Sequence, residues 1–376
     1  MAQPTYRPDR KTLLAAVTTV AAVYVYFLIF AQFGFLKAVL AVLGEDARVI
    51  RPVMAVMGLA GIAGSVTAWI LGRPARRRHL MIGLVICAGA AAWAPAAKSA
   101  GAFYTVALLT GAGTGLSTVT LAALLRPAVG DGRLGLVIGL GTGLAYAFCN
   151  LPAVFEAGAT TQARIALLAV AAGLLGGGVL GPRVAAGPRR EGDYARTGVA
   201  SWVMIFLVLV CLDSAAFFMI QHTLALKEAM WSGGSQLWLN AGVHLGAAVL
   251  AGWAFDRRRL GRTVGLGAAA LLLACLMISG TSPNAGAAGW FYVAGVSVYS
   301  TALVFYPAAS GRVGLAALVY ALAGWAGSGL GIGLAEGRGS LPAAVPVVAA
   351  AVLAMALWGR GLASRREGTM NENSEI

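Results

Sequence analysis

Two side chains of this sequence are placed to do chemistry. Asp213 and His244 are the residues, among fourteen acids and three histidines, that fall deep inside long apolar stretches. Asp213 comes thirteen residues after the start of its stretch, about 20 Å along a helix at ~1.5 Å per residue. His244 lies twelve residues before Asp256, about 18 Å from that end of the next stretch. The two depths agree, and both fall near the middle of a membrane. A charge there costs about 2.5–3.5 kcal/mol, so such groups turn to a bundle interior or an aqueous cavity. A carboxyl and an imidazole in that position suit proton coupling, which needs a group that loads on one side and unloads on the other. Asp213 could equally hold a substrate cation.

Other polar and aromatic residues fall into register around them. Gln236, Asn240 and His244 recur at helical spacing on one face. Tyr292, Tyr299 and Tyr306 recur every seven residues, and Thr110, Thr114 and Thr118 form a stripe of their own. Tyr24, Tyr146 and Trp325 sit at similar depth, with Gln32 and Gln221 as further polar candidates. Together these could wall a polar, aromatic-lined central pocket for substrate or proton. The competing reading is interhelical hydrogen bonding, which for the threonines means bonds to their own helix carbonyls. Lys37, Glu156, His222, Lys227 and Glu228 fall near one mouth, as interfacial anchors or gate pairs. No Lys or Arg lies deep in a stretch, which argues against a charge-pairing site for a dianionic substrate.

Several chemistries find no support. There are no paired aspartates, no HExxH, no CxxCH and no credible Ser–His arrangement, so an enzyme is not expected. Cys87, Cys149, Cys211 and Cys275 all lie in apolar stretches without ligand spacing and read as small hydrophobic residues. Met219, His222 and His244 could offer soft metal ligands, but they differ in depth. Neither cofactor nor metal is expected.

The elements that carry these residues are twelve apolar stretches: 13–40, 51–72, 79–97, 101–125, 133–156, 163–181, 200–222, 235–255, 262–280, 287–310, 312–334 and 341–359. Each approaches the roughly 20 residues that cross a bilayer core. With 59% apolar and 11% charged residues, the composition is that of a polytopic membrane protein. Alternating the loops puts 21 of the 28 Lys and Arg residues on one side. Arg76 to Arg78, Arg126, Arg133, Arg257 to Arg259 and Arg312 are among them. The positive-inside rule therefore places both termini in the cytoplasm, as expected for a multi-pass protein of the inner membrane. Topology also accounts for the net charge of +14, so the lipid bilayer and not nucleic acid is the expected partner. The first stretch is too long for a cleavable signal. Trp69, Trp202, Trp253 and Trp358 mark inner boundaries, and Trp93, Trp231, Trp238 and Trp290 mark outer ones.

The chain is internally duplicated. Gly132-Arg133-Leu134-Gly135-Leu136 matches Gly311-Arg312-Val313-Gly314-Leu315 at an offset of 179. Arg126-Pro127-Ala128 matches Tyr306-Pro307-Ala308 at 180, and Arg76 to Arg78 match Arg257 to Arg259 at 181. The expected domains are a six-helix bundle over 1–181, a cytoplasmic linker over 182–198, a second bundle over 199–360 and a tail over 361–376. The third, sixth, ninth and twelfth stretches carry almost no internal polar side chains and are expected at the periphery.

Twelve helices in two similar halves, a central linker and peripheral third helices resemble the major facilitator superfamily of transporters. Gly252-Trp253-Ala254-Phe255-Asp256-Arg257, followed by Gly261-Arg262, is similar to that family's G-x-x-x-D-R-x-G-R loop with two extra residues. The resemblance implies gating roles for Gly252, Asp256, Arg257 and Arg262, with Arg133 and Arg312 at the openings of the fifth and eleventh stretches. The first-half copy has Gly72 where the acid is expected. Gly135, Gly139, Gly141 and Gly143 are similar to the antiporter glycine motif but lack its Gly-Pro pair, so drug antiport is not inferred from them. Asp256 is expected to meet a basic side chain or the start of the eleventh helix. The fold expected is an all-α membrane protein of two pseudo-symmetric six-helix bundles. The function expected is a monomeric, proton-coupled secondary transporter of a small solute. The alternatives are a metal-ion carrier, a lipid flippase or a sensor on the same fold.

Overall fold

The computed structural model describes residues 8–44, 46–72, 76–181, 196–279, 285–336, 342 and 344–356. Of the linker expected at 182–198, only the last three positions fall within these residues, and the 361–376 tail lies outside them. The described chain is helical. Ten helices are long and apolar enough to cross a membrane. They are α1 (Arg10–Leu43), α2 (Arg48–Leu71), α3 (Arg76–Ala96), α4 (Ala100–Val129), α6 (Ala159–Val179), α7 (Gly198–His222), α8 (Gly234–Asp256), α9 (Leu260–Ser279), α10 (Ala285–Ser310) and α11 (Val313–Ala335). Two shorter apolar helices, α5 (Leu134–Cys149) and α12 (Ala344–Ala356), complete the order. The end of the molecule that carries the arginine-rich loops is termed the basic end, and the opposite one the far end.

Local sequence explains where these helices start and stop. The Asp9 side chain accepts from the Thr12 N–H at 2.7 Å, and Ser99 accepts from Ala102 at 3.3 Å, each satisfying a first-turn donor. Gly72 ends α2 with a φ of +57°, a conformation that glycine adopts without penalty. The fifth stretch, expected to run unbroken over 133–156, does not. Pro152 has no N–H to continue the ladder and holds Leu151 extended, so α5 stops at Cys149 and a short helix, Pro152–Phe155, follows. The Asn150 amide donates back to the Tyr146 carbonyl at 2.9 Å.

Two helices carry wide winding in mid-course. Over Tyr26–Gly34 in α1 and Val319–Ala326 in α11 the backbone bonds reach five residues back; Phe35 donates to the Phe30 carbonyl and Gly327 to Leu322. Such turns are rare and favour functional sites.

The helix pairings repeat between the first six helices and the rest. α4 packs on α2 and α3, and α10 on α8 and α9. α1 packs on α5, and α7 on α11. Between the two sets, α5 meets α8 and α2 meets α11, while α4 and α10 touch one another. The cores of α4 and α10 are the most enclosed. Large apolar side chains point outward from α3 (Ile82, Val85), α6 (Leu168, Leu175), α9 (Leu266, Leu276) and α12 (Val347, Met355). α2 and α8 also turn one face outward, through Leu59 and Ile70 and through Trp238 and Leu250, so exposure is not confined to every third helix.

Candidate functional site

α10 is the axis of the site. Tyr292 and Tyr299, two turns apart on one face, both donate to Asp213 on α7. The Tyr292 hydroxyl reaches Oδ1 at 2.6 Å, and Tyr299 makes a short bond to Oδ2. Each carboxylate oxygen thus accepts one phenol, a charge-assisted arrangement that stabilises the anion. Asp213 is half-buried even so. Tyr306, the third member of the stripe, takes no part; it packs against Trp202 and Phe206 with ring centres 5.2 and 5.9 Å away.

The next face of α10 holds His244. Its Nδ1 lies 2.7 Å from Ser297 Oγ, and the imidazole stacks on Tyr146 of α5 at 4.5 Å and 17°. Tyr146 Oη lies 2.9 Å from Ser300 Oγ, and Tyr24 Oη donates to the Ser300 carbonyl at 3.3 Å. Thr142 and Thr301 face each other at 3.0 Å. Tyr24, Thr142 and Tyr146 therefore bring the first six helices onto Ser300 and Thr301 of α10, next to the Ser297 that holds His244.

Toward the far end an aromatic plug packs beside Tyr292. Trp231, from the short helix Leu224–Trp231, packs against Phe33, Phe155, Phe217 and Tyr292 with centroids 5.2–6.4 Å apart. Tyr292 thus touches both plug and carboxylate. At the rim, Arg51 Nε lies 2.7 Å from Glu336 Oε1 and ties α2 to α11.

At the basic end Asp256 accepts from the Gly135 N–H at 2.7 Å and the Leu136 N–H at 2.9 Å. It caps α5, not α11 as the sequence suggested. The reason is the α5–α8 pairing: the Gly252 and Gly135 backbones approach so closely that a Cβ on either would overlap the other's carbonyl. That contact delivers the end of α8 to the start of α5, whose free N–H groups and dipole favour an anion.

The remaining expected residues distribute as follows. Asn240 is buried and donates to the Met230 carbonyl at 2.9 Å while accepting from Gln236 at 3.0 Å, which anchors the plug's helix. Trp325 lies over Gly61 of α2 and meets Phe27 edge-on at 6.4 Å. Gln32 and Gln221 are half-buried nearer the far end and are not brought to Asp213 by any described hydrogen bond. Arg257 leaves the latch and lies over the Trp253 ring at 3.5 Å, while Arg133, Arg262 and Arg312 are exposed. The threonine stripe does not wall the site. Thr118 bonds the Thr114 and Gly115 carbonyls, and Thr110 and Thr114 face Tyr26 and Cys87 between α1, α3 and α4. Lys37 donates to the Phe155 and Ala157 carbonyls at 3.3 and 3.0 Å. His222 stacks on Phe218 at 4.0 Å. No three His, Cys, Asp or Glu side chains gather to hold a metal among the described residues.

Sequence reasoning counted Tyr292 among the walls of a central pocket without pairing it with Asp213, and missed Ser297, Ser300 and Thr142. Ser297 and Ser300 sit at an offset of 180 from Ser117 and Thr120, so the repeat could have singled them out.

No family model and no curated protein matches the sequence. Solved structures do. The human organic anion transporter MFSD10 (TETRAN) is similar with a TM-score of 0.65 at 14% identity, over 94% of this chain and 100% of that one. A bacterial homologue of the iron transporter ferroportin, outward-facing with soaked iron, is similar with a TM-score of 0.61 at 13% identity, over 96% and 100%. A mutant form of the nucleoside transporter NupG is similar with a TM-score of 0.57 at 12% identity, over 94% and 100%. All three are transporters, and the chain shares their fold.

Proposed function

We propose that this protein is a secondary active transporter that moves a small solute by alternating access, coupled to protons through Asp213. Its twelve helices form two six-helix bundles, α1–α6 and α7–α12, joined by a cytoplasmic linker, with both termini in the cytoplasm and the basic end facing inward. The observation that carries the reading is the placement of Asp213. The only carboxyl deep in a span meets two hydroxyls of α10, beside the seam where α4, α5 and α10 touch. A titratable group on that seam senses which bundle face is open, which proton coupling requires. Two latches on opposite sides support alternation: Asp256 on α5 holds the cytoplasmic side, and Arg51 with Glu336 holds the outer side.

The test uses the full chain in proteoliposomes under an imposed pH gradient, screened against pooled organic cations, organic anions, nucleosides and divalent metals. Wild type should accumulate a member of one pool, and Asp213→Asn should not, while folding to the same monodisperse species. Accumulation that ignores the gradient, or that Asp213→Asn retains in full, would remove the proposal.

A further inference from the structure

The charge balance around Asp213 names a substrate class. This step rests on the transport reading above and deepens it. Both oxygens of Asp213 accept from neutral phenols, Tyr292 and Tyr299, which stabilise the anion but do not cancel its charge. No Lys, Arg or His side chain of the described residues lies within ion-pair distance of it. The imidazole at the same depth is turned away, bonded to Ser297 and stacked on Tyr146. An unpaired carboxylate inside a bundle costs several kcal/mol, and the described residues supply no fixed positive charge to cancel it. Neutralisation must come from something mobile.

The walls decide what that is. The hydroxyls of Tyr292 and Tyr299 reach the carboxylate, Tyr146 lies within electrostatic range of it, and Trp231 packs against the Tyr292 ring. Aromatic faces carry negative charge density and attract cations, most strongly where water is scarce. A bare metal ion needs a cage of six or so oxygens, and rings are poor substitutes. A singly charged organic cation with an apolar body matches both the carboxylate and the rings. An organic anion meets a carboxylate with no basic side chain beside it. Asp213 retains partial exposure beside its two phenols.

We infer that Asp213 and the rings around it form a binding site for a monovalent organic cation, and that cation and proton occupy the carboxylate in turn. Mutual exclusion at one carboxylate makes the transport an exchange: the cation arrives as the proton leaves, and charge at the site stays balanced. No covalent step is involved.

The experiment uses the purified full chain in detergent with three probes: radiolabelled tetraphenylphosphonium, ethidium and benzylamine. At least one should bind saturably to wild type, more tightly as pH rises. Binding in weakly buffered solution should release one proton per cation. Asp213→Asn should weaken the probe by about tenfold or more and release no proton. Asp213→Glu, which keeps the charge, should stay within about threefold of wild type. Should Asp213→Asn fail to fold, the pH dependence and proton release of wild type still decide the question. Three results overturn the inference: none of the probes binds wild type, tetraphenylborate binds and displaces them, or sodium or potassium displaces them equally well. If Asp213→Asn loses gradient-driven transport yet binds the probe as wild type does, the carboxylate carries only protons; the substrate class falls while proton coupling stands. If wild type binds the probe with no proton release at any pH, exchange falls with it.

Discussion

α2 and α8 occupy corresponding places in the two sets of helices, and they have been given opposite duties. Each packs on a central helix of its own set, α4 or α10, and on a helix of the other set, α11 or α5. At their middles α2 carries Gly61 and Gly64, and α8 carries Ala241 and His244, at an offset of 180. The α2–α4 contact is backbone on backbone: a Cβ at Gly115 would overlap the Gly61 carbonyl, and one at Gly64 would overlap Ala112. The α8–α10 contact places an imidazole and a hydroxyl in that position, His244 against Ser297. At the basic end α8 finishes in Asp256, which caps α5, whereas α2 finishes at Gly72 and leaves Trp69 beside Gly314 of α11. One scaffold has thus been used as a sealed hinge on one side and a chemical site on the other. Small residues give close contact without polarity, and close contact leaves no room for a ligand.

The largest test of this division is Gly115→Val. The added carbons meet backbone, which cannot move aside, so a loss of about 3 kcal/mol or more is expected, read as failure to recover folded protein by size exclusion. Gly242→Ala on α8, where the added carbon meets open space, should instead leave the melting temperature unchanged or slightly raised. Equal effects would mean that the two helices are not packed differently.

Asp256→Asn comes next. It replaces two charge-assisted bonds to the start of α5 by weaker ones, a loss of about 1.5–3 kcal/mol from the contact at the basic end. A cysteine placed on the half of α5 nearer the basic end should then label about tenfold faster. Unchanged labelling would show that the glycine contact alone holds that side.

Ser297→Ala should cost about 1 kcal/mol of thermal stability, because His244 loses its partner in a buried place. Its counterpart Ser117→Ala, where the hydroxyl has no hydrogen-bond partner among the described residues, should be neutral. Similar losses at both would erase the contrast between α4 and α10.

The smallest effect belongs to Arg51→Ala or Glu336→Gln. Their pair is partly exposed, so about 0.2–1 kcal/mol is expected, falling with added salt. Its signature is faster labelling from the far end only.

The sequence makes the helices legible because hydropathy and loop charge are local properties. It also makes Asp213 and His244 legible, since each is alone of its kind at depth. What it hid was the partner of each group. The seven-residue spacing of Tyr292, Tyr299 and Tyr306 revealed a shared face, yet the first two meet Asp213 and the third meets Trp202, because packing along a long helix changes neighbours every few turns. The destination of Asp256 depends on which helix lies across the seam, a matter of contacts more than a hundred residues apart in sequence. The break after Asn150 was available in Pro152 and was masked by unbroken hydropathy. The threonine stripe was regular but faced Tyr26 and Cys87, inside its own set of helices.

The two widely wound stretches have a mechanical consequence. Phe27 belongs to the one in α1 and Trp325 to the one in α11, and their rings meet edge-on. An ordinary α-helix turns about 100° per residue and a wide turn somewhat less, so each residue handed back from wide to normal winding rotates the rest of the helix by the difference. The outer half of α1, with Gln32, Phe33 and Lys37, therefore has more than one rotational setting available without breaking the helix. Because the rings of the two stretches touch, a change of thread in one helix pushes on the other, like teeth of two meshed gears.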